Sequence, residues 1–230
     1  MAIVETLAGR AVEIRARVAA SAGRSGRTDA AVQIVAVTKT IPAATVERAF
    51  ELGFTTFGEN RVQEARAKIQ DLQLPGIRWD LIGHLQTNKA ARAAELFSRI
   101  QSVDSLRLAE LLHHEASQLG LVLPILLEVN VAGESSKSGF APGNLAAAAA
   151  ALRHLPALQP EGLMTIAPLS VDPEEVRPVF RELRRWCDRL RQESEGWNEL
   201  SMGMSDDFEV AIEEGATIVR IGRALFGAKA

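Results

Sequence analysis

The chain has 230 residues, 47% hydrophobic and 24% charged, with a formal net charge of -3, a profile with room for one large globular domain or two small ones. That slight acidity excludes the electrostatic footprint of a nucleic-acid binder, and no stretch approaches the roughly 18 apolar residues that span a bilayer. One cysteine, Cys187, excludes an internal disulfide framework and fits a reducing compartment, so a cytoplasmic location is expected.

The amino-terminal MAIVETLAGRAVEIRARVAA sets Ile3, Leu7, Ile14 and Val18 on one stripe among charges. This predicts an amphipathic helix of the mature chain and not a signal peptide. A loop over residues 21–30 is expected to tie that helix to the main body. From there apolar strand-like runs, polar turns and amphipathic helices alternate. The strands are expected at 33–37, 55–57, 79–82, 99–103, 123–129, 159–164, 199–202 and 217–221.

Between them, RVQEARAKIQDL places Val62, Ala65, Ile69 and Leu72 on one helical face and leaves Lys68 as a surface lysine. The alanine run 146–151 reads as a close-packed helix, alanine being the best helix former. In DPEEVRPVFRELRRWCDRL, Asp172 is the expected N-cap and Pro173 the first helical residue. Val176, Phe180, Leu183, Cys187 and Leu190 recur there at spacings of three and four, making Cys187 a core thiol and not a nucleophile.

Strand–helix alternation with short connections predicts a single (β/α)8 barrel of the TIM type over residues 1–230, with an extra N-terminal helix. A doubly wound open sheet is the rival, but no Gly-rich dinucleotide fingerprint follows the first strand. In a barrel, function collects at the carboxyl ends of the strands. Lys39 stands at the end of the first, where partial desolvation would make it an amine nucleophile for carbonyls.

Across the same mouth, SMGMSDD and VRIGRALFG offer an anion cradle. Gly203 and Gly222 permit close backbone approach, Ser205 supplies a hydroxyl, and the Gly222–Arg223 amides open the last helix. The competing reading is that Ser205 or Asp206 only caps the helix that follows, and Asp206 and Asp207 repel an anion unless they point away. His113 and His114 are adjacent, His84 and His154 stand alone, and no metal-ligand spacing or G-x-S-x-G elbow is present. An amine facing an anion cradle suits a Schiff-base enzyme acting on a phosphorylated carbonyl compound.

The segments AVTKT, FGENRVQEA, WDLIGHLQTNK, LLEVNVAGESSKSGF, GLMTI, LSMGMSDDFEVAI and VRIGRALFG occur in this order. Together they resemble the pyridoxal phosphate homeostasis protein family, relatives of the barrel domain of bacterial alanine racemase, from about Val35 to Gly227. The resemblance implies that Lys39 holds pyridoxal 5'-phosphate as a Schiff base. It implies too that Ser205 and the Gly222–Arg223 backbone hold the phosphate, that Arg220 faces the pyridine nitrogen, and that Asn60 lies near the ring. By the same resemblance the protein stores or delivers the cofactor, with apo-enzymes that need it as partners; a monomer is expected.

Alanine racemases of this barrel type take a tyrosine base from a second, β-rich domain, whereas these residues include no tyrosine and leave no room for that domain. A non-catalytic carrier is therefore expected. The alternative is an amino-acid racemase or lyase using Lys39 as base.

Overall fold

A computed structural model describes residues 6–134 and 137–227. Eight parallel strands, each hydrogen-bonded to its sequence neighbour, close into a barrel in which the last pairs with the first. They are β1 (Gln33–Val37), β2 (Thr56–Glu59), β3 (Arg78–Leu81), β4 (Arg99–Val103), β5 (Leu123–Glu128), β6 (Leu158–Met164), β7 (Glu199–Ser201) and β8 (Ile218–Ile221). The expected TIM-type architecture is the one observed, with strand ends shifted by one or two residues. The largest shift is in β2, which runs on to Glu59 because Gly58 and Glu59 remain in register with Asp80 and Leu81 of β3.

The helices are α1 (Leu7–Arg24), α2 (Ala43–Glu51), α3 (Val62–Asp71), α4 (Ala90–Leu96), α5 (Leu106–Gln118), α6 (Leu145–Leu152), α7 (Arg177–Glu193), α8 (Phe208–Glu213) and α9 (Arg223–Phe226). Helix α1 begins where the Thr6 hydroxyl accepts the Gly9 N–H at 3.1 Å. It buries Ala11, Ile14, Val18 and Ala22, spaced for one face, against α8 and α9. Ile3, the first member of the expected stripe, lies outside the described residues. The helix continues through Arg24, so the first part of the expected loop is helical: Ser21 is buried and its hydroxyl donates to the Arg17 carbonyl at 2.9 Å.

The alanine run forms α6 as expected. Asp172 caps a short 3-10 turn, Pro173–Val176, accepting the Glu174 N–H at 2.9 Å, and α7 follows it. Phe180, Leu183, Cys187 and Leu190 all face the core. Burial pushes the Cys187 thiol up to about 11.

Along each strand alternate side chains point inward. Val35, Leu126, Met164 and Ile218 form a small apolar plug inside the barrel. Two residues further along, the same inward parity brings Val37, Glu128 and Arg220 toward the carboxyl-end rim, where Ile166, just past the end of β6, joins them. The fold thus delivers a ring of side chains to one opening.

Candidate functional site

Lys39 stands two residues beyond the end of β1, and the Thr38–Thr40 turn lifts it clear of the barrel wall, leaving it exposed. The desolvation expected of it is not found. It borders a hollow of about 320 Å³ shared with Val37, Ile41, Gly222 and Phe226. On its other side it borders a second hollow, shared with Asn60.

The turn carrying Lys39 is held from beneath. Thr40 adopts a left-handed φ of 62°, unusual for a β-branched residue, and its N–H donates to the Glu64 carboxylate. Lys68, expected on the surface, is only 8% exposed. Its ammonium donates to the Thr38 carbonyl at 2.5 Å and to Glu59 at 2.6 Å, and the Thr38 hydroxyl donates to the same Glu59 oxygen at 2.6 Å. Helix α3 carries Lys68 under β1 beside the expected stripe, in which Val62, Ala65 and Leu72 are buried and Ile69 is partly exposed but still packed against the core. Burial pushes the Glu59 carboxyl above its usual range against the opposing pull of Lys68 and Thr38.

Opposite Lys39 lies a hollow of about 300 Å³ at which Asn60, Ser205, Arg220, Gly222 and Arg223 meet, with Val37, Ile82 and Met204 supplying apolar wall. Lys39 does not line it, but Val37, Gly222 and Arg223 belong to both this hollow and the first. Gly203 lets the chain leading to Ser205 pack directly against α8. Its φ is 92°, and a Cβ there would sit 2.6 Å from the Ala211 methyl and 2.8 Å from the Phe208 Cα.

Ser205 does not cap α8. Its hydroxyl instead accepts the Ala224 N–H at 3.1 Å, fixing it beside the first turn of α9. Asp206 lines the hollow, where Arg223 pairs with its carboxylate, and Asp207 lies outside the lining and accepts the Met204 N–H at 2.5 Å within its own turn. A Cβ on Gly222 would meet the Val37 side chain at 3.4 Å, an ordinary contact.

Arg220 is 3% exposed. Its guanidinium donates to the Ser201 hydroxyl at 2.7 Å and the Thr165 carbonyl at 2.8 Å, and burial brings it down to about 10 despite the nearby Asp207 and Glu128 carboxylates. From Ser201 a hydrogen-bonded chain descends through the barrel. Ser201 donates to Gln101 at 2.6 Å, Gln101 to Asp80 at 2.6 Å, and Arg99 donates to Asp80 at 2.7 Å and to Gln33 at 2.8 Å. Sequence reasoning missed this chain. Its signal was polar residues at alternating positions inside otherwise apolar strands, Arg99 and Gln101 above all.

Also missed was the β3–β5 side of the rim. His84 Nδ1 lies 3.0 Å from Asp104 Oδ2. Glu128 at the end of β5 is 9% exposed, and burial, then Asp104, hold its carboxyl above the usual range.

The family model for the alanine racemase N-terminal domain matches residues 13–230. The pyridoxal phosphate homeostasis protein of Aquifex aeolicus is 42% identical over 212 residues, covering 92% of this chain and 93% of its own length. That of Pseudomonas aeruginosa is 42% identical over 226 residues, 98% and 97% respectively. Among solved structures, PipY of Synechococcus elongatus PCC7942 with pyridoxal phosphate (PLP) bound superposes with a TM-score of 0.85 at 39% identity, covering 96% of this chain and all of that one. An alanine racemase of Clostridium difficile, 14% identical, shares the fold with a TM-score of 0.71 over 86% of this chain and 53% of its own. The chain belongs to the alanine racemase N-terminal domain family and, within it, to the pyridoxal phosphate homeostasis proteins.

Proposed function

We propose that the protein binds pyridoxal 5'-phosphate at the barrel mouth and stores or delivers it in the cytoplasm, as a monomer with no reaction of its own, for apo-enzymes that need the cofactor. The observation that carries this reading is the convergence of an exposed amine and a donor-lined hollow across one rim. Lys39 and the Ser205–Arg223 corner flank the shared residues Val37 and Gly222.

The donor set fits this cofactor. Ser205 and the first amides of α9 suit its phosphate, and the buried Arg220 guanidinium suits a ring nitrogen that accepts a hydrogen bond. Asn60 Oδ1 is buried and has no hydrogen-bond partner among the described residues, an acceptor that the cofactor's polar edge or an ammonium group can satisfy. When bound, the cofactor supplies an aldehyde that an amine such as Lys39 can hold covalently.

Two features favour carriage over turnover. The sequence contains no tyrosine to serve as a second base. The Lys39 side is open to water, which favours exchange over protected carbanion chemistry. Borohydride reduction of the loaded protein and peptide mapping should place a phosphopyridoxyl group on Lys39, and the loaded protein should reactivate an apo-enzyme. Label on other lysines would remove Lys39 from its role. Amino-acid turnover at about 1 per second that vanished in Lys39→Ala would replace the carrier reading with a racemase or lyase.

A further inference from the structure

The Leu85–Lys89 part of IGHLQTNK and the Arg61–Gln63 part of GENRVQEA do not line the hollow of Ser205 and Arg220. The fold brings them together. His84, Gln86 and Lys89, from the segment after β3, and Arg61, from the start of α3, line one hollow of about 440 Å³ with Lys39 and Asn60. This is ample for a small polar molecule.

Its lining includes three cations, Lys39, Arg61 and Lys89, and no carboxylate. Arg61 and Lys89 make no ion pair among the described residues. The carboxylates nearby are already engaged: Asp104 lies 3.0 Å from His84 and accepts the Ser105 hydroxyl at 3.1 Å, while Glu64 is held by Lys68 and the Thr40 N–H and feels Arg61 only as a longer-range charge. With Nδ1 turned to Asp104, the second nitrogen of His84 remains for another partner. Asn60, with its buried and unpartnered Oδ1, stands at the wall between this hollow and the one lined by Ser205 and Arg220.

We propose that this hollow is a second anion site, built for the carboxylate of a small amino-carboxylate such as an amino acid, lying on the side of Lys39 away from the phosphate cradle. The Arg61 fork matches a carboxylate in two parallel bonds, Lys89 adds a point charge, and the side-chain amides of Asn60 and Gln86 can serve an ammonium group as well as a carboxylate. The choice of carboxylate over phosphate rests on the role proposed above for Lys39. A molecule whose amine approaches the carbonyl held at Lys39 extends its other end into this hollow.

The test is a calorimetric titration of the cofactor-loaded full chain with succinate, which carries carboxylates but no amine and cannot react at an aldehyde. Inorganic phosphate is the second probe, and visible absorbance reports cofactor loading independently. Succinate should bind saturably and weaken at least about tenfold in the double variant Arg61→Gln/Lys89→Gln, with cofactor colour unchanged. Phosphate should not displace it. Absence of saturable succinate binding, binding indifferent to the double variant, or displacement by phosphate at equal concentration each overturns the carboxylate site. A protein that binds succinate through Arg61 and Lys89 yet never colours with cofactor keeps this site and loses the function proposed above.

Discussion

Replacing Lys68 by methionine tests whether the turn that carries Lys39 is held by a buried ion pair. Methionine keeps the length of the side chain and removes the charge. Glu59, whose side chain is fully buried, then loses its 2.6 Å partner and keeps only the Thr38 hydroxyl on that oxygen, while its Oε2 already lacks a partner among the described residues. Removing one member of a buried pair costs about 3–5 kcal/mol. In a chain of this size that is roughly a 6–20 °C fall in melting temperature.

The sign with pH follows from Glu59. Its folded-state carboxyl is already raised by burial and is pulled back mainly by Lys68, so the variant raises it further. A raised carboxyl favours the folded state at pH below the ordinary carboxylate range, and that contribution is lost as pH rises through the raised value. The deficit of Lys68→Met relative to wild type should therefore be largest near neutral pH and shrink as the solution is acidified toward the unfolded carboxylate value. Urea melts at several pH values measure it, and the double variant Glu59→Gln/Lys68→Met should recover most of the loss because no buried charge remains. A pH-independent deficit, or a double variant no better than the single, would refute this account of the pair. Loading should report the functional half of the argument: the Lys39 turn loosens in the single variant, so covalent capture of the cofactor should slow even at temperatures where it is fully folded.

Two further outcomes can be checked on the same preparations. Ser205→Ala removes one donor to a doubly charged phosphate, a bond worth roughly 1.5–3 kcal/mol, and should weaken cofactor binding about ten- to a hundredfold with the melting curve little changed; unaltered binding would leave Ser205 only as the support of Ala224. Cys187, buried and pushed up to about 11, should resist iodoacetamide in the native protein at neutral pH and react in urea, and prompt native labelling would contradict its place in the core.

What the sequence disclosed and what it hid divide along one physical line. Periodicity reports which face of an element is apolar, and that sufficed for the barrel, for the α7 stripe of Phe180, Leu183, Cys187 and Leu190, and for the short list of residues at strand ends. It carries no information about which polar residue is buried against a distant partner. Lys68 looks solvated because lysines on helices usually are; only the packing of α3 under β1 brings it to Glu59, nine residues earlier, and to the Thr38 carbonyl, thirty earlier. Asp80, Gln101 and Ser201 likewise read as faults in apolar strands until barrel closure lines them up beneath Arg220. Arg220 donates to Ser201 and to the Thr165 carbonyl, and its nearest charged neighbours, Asp207 and Glu128, act only at longer range. It is therefore hydrogen-bonded to neutral acceptors, which fix the plane of the guanidinium, while the two carboxylates balance its charge only in part, against the effect of burial. On the function proposed above, a cation oriented in that way would present a donor of fixed direction to the cofactor ring, and its orientation depends on a chain of side chains that no local pattern in the sequence could have joined.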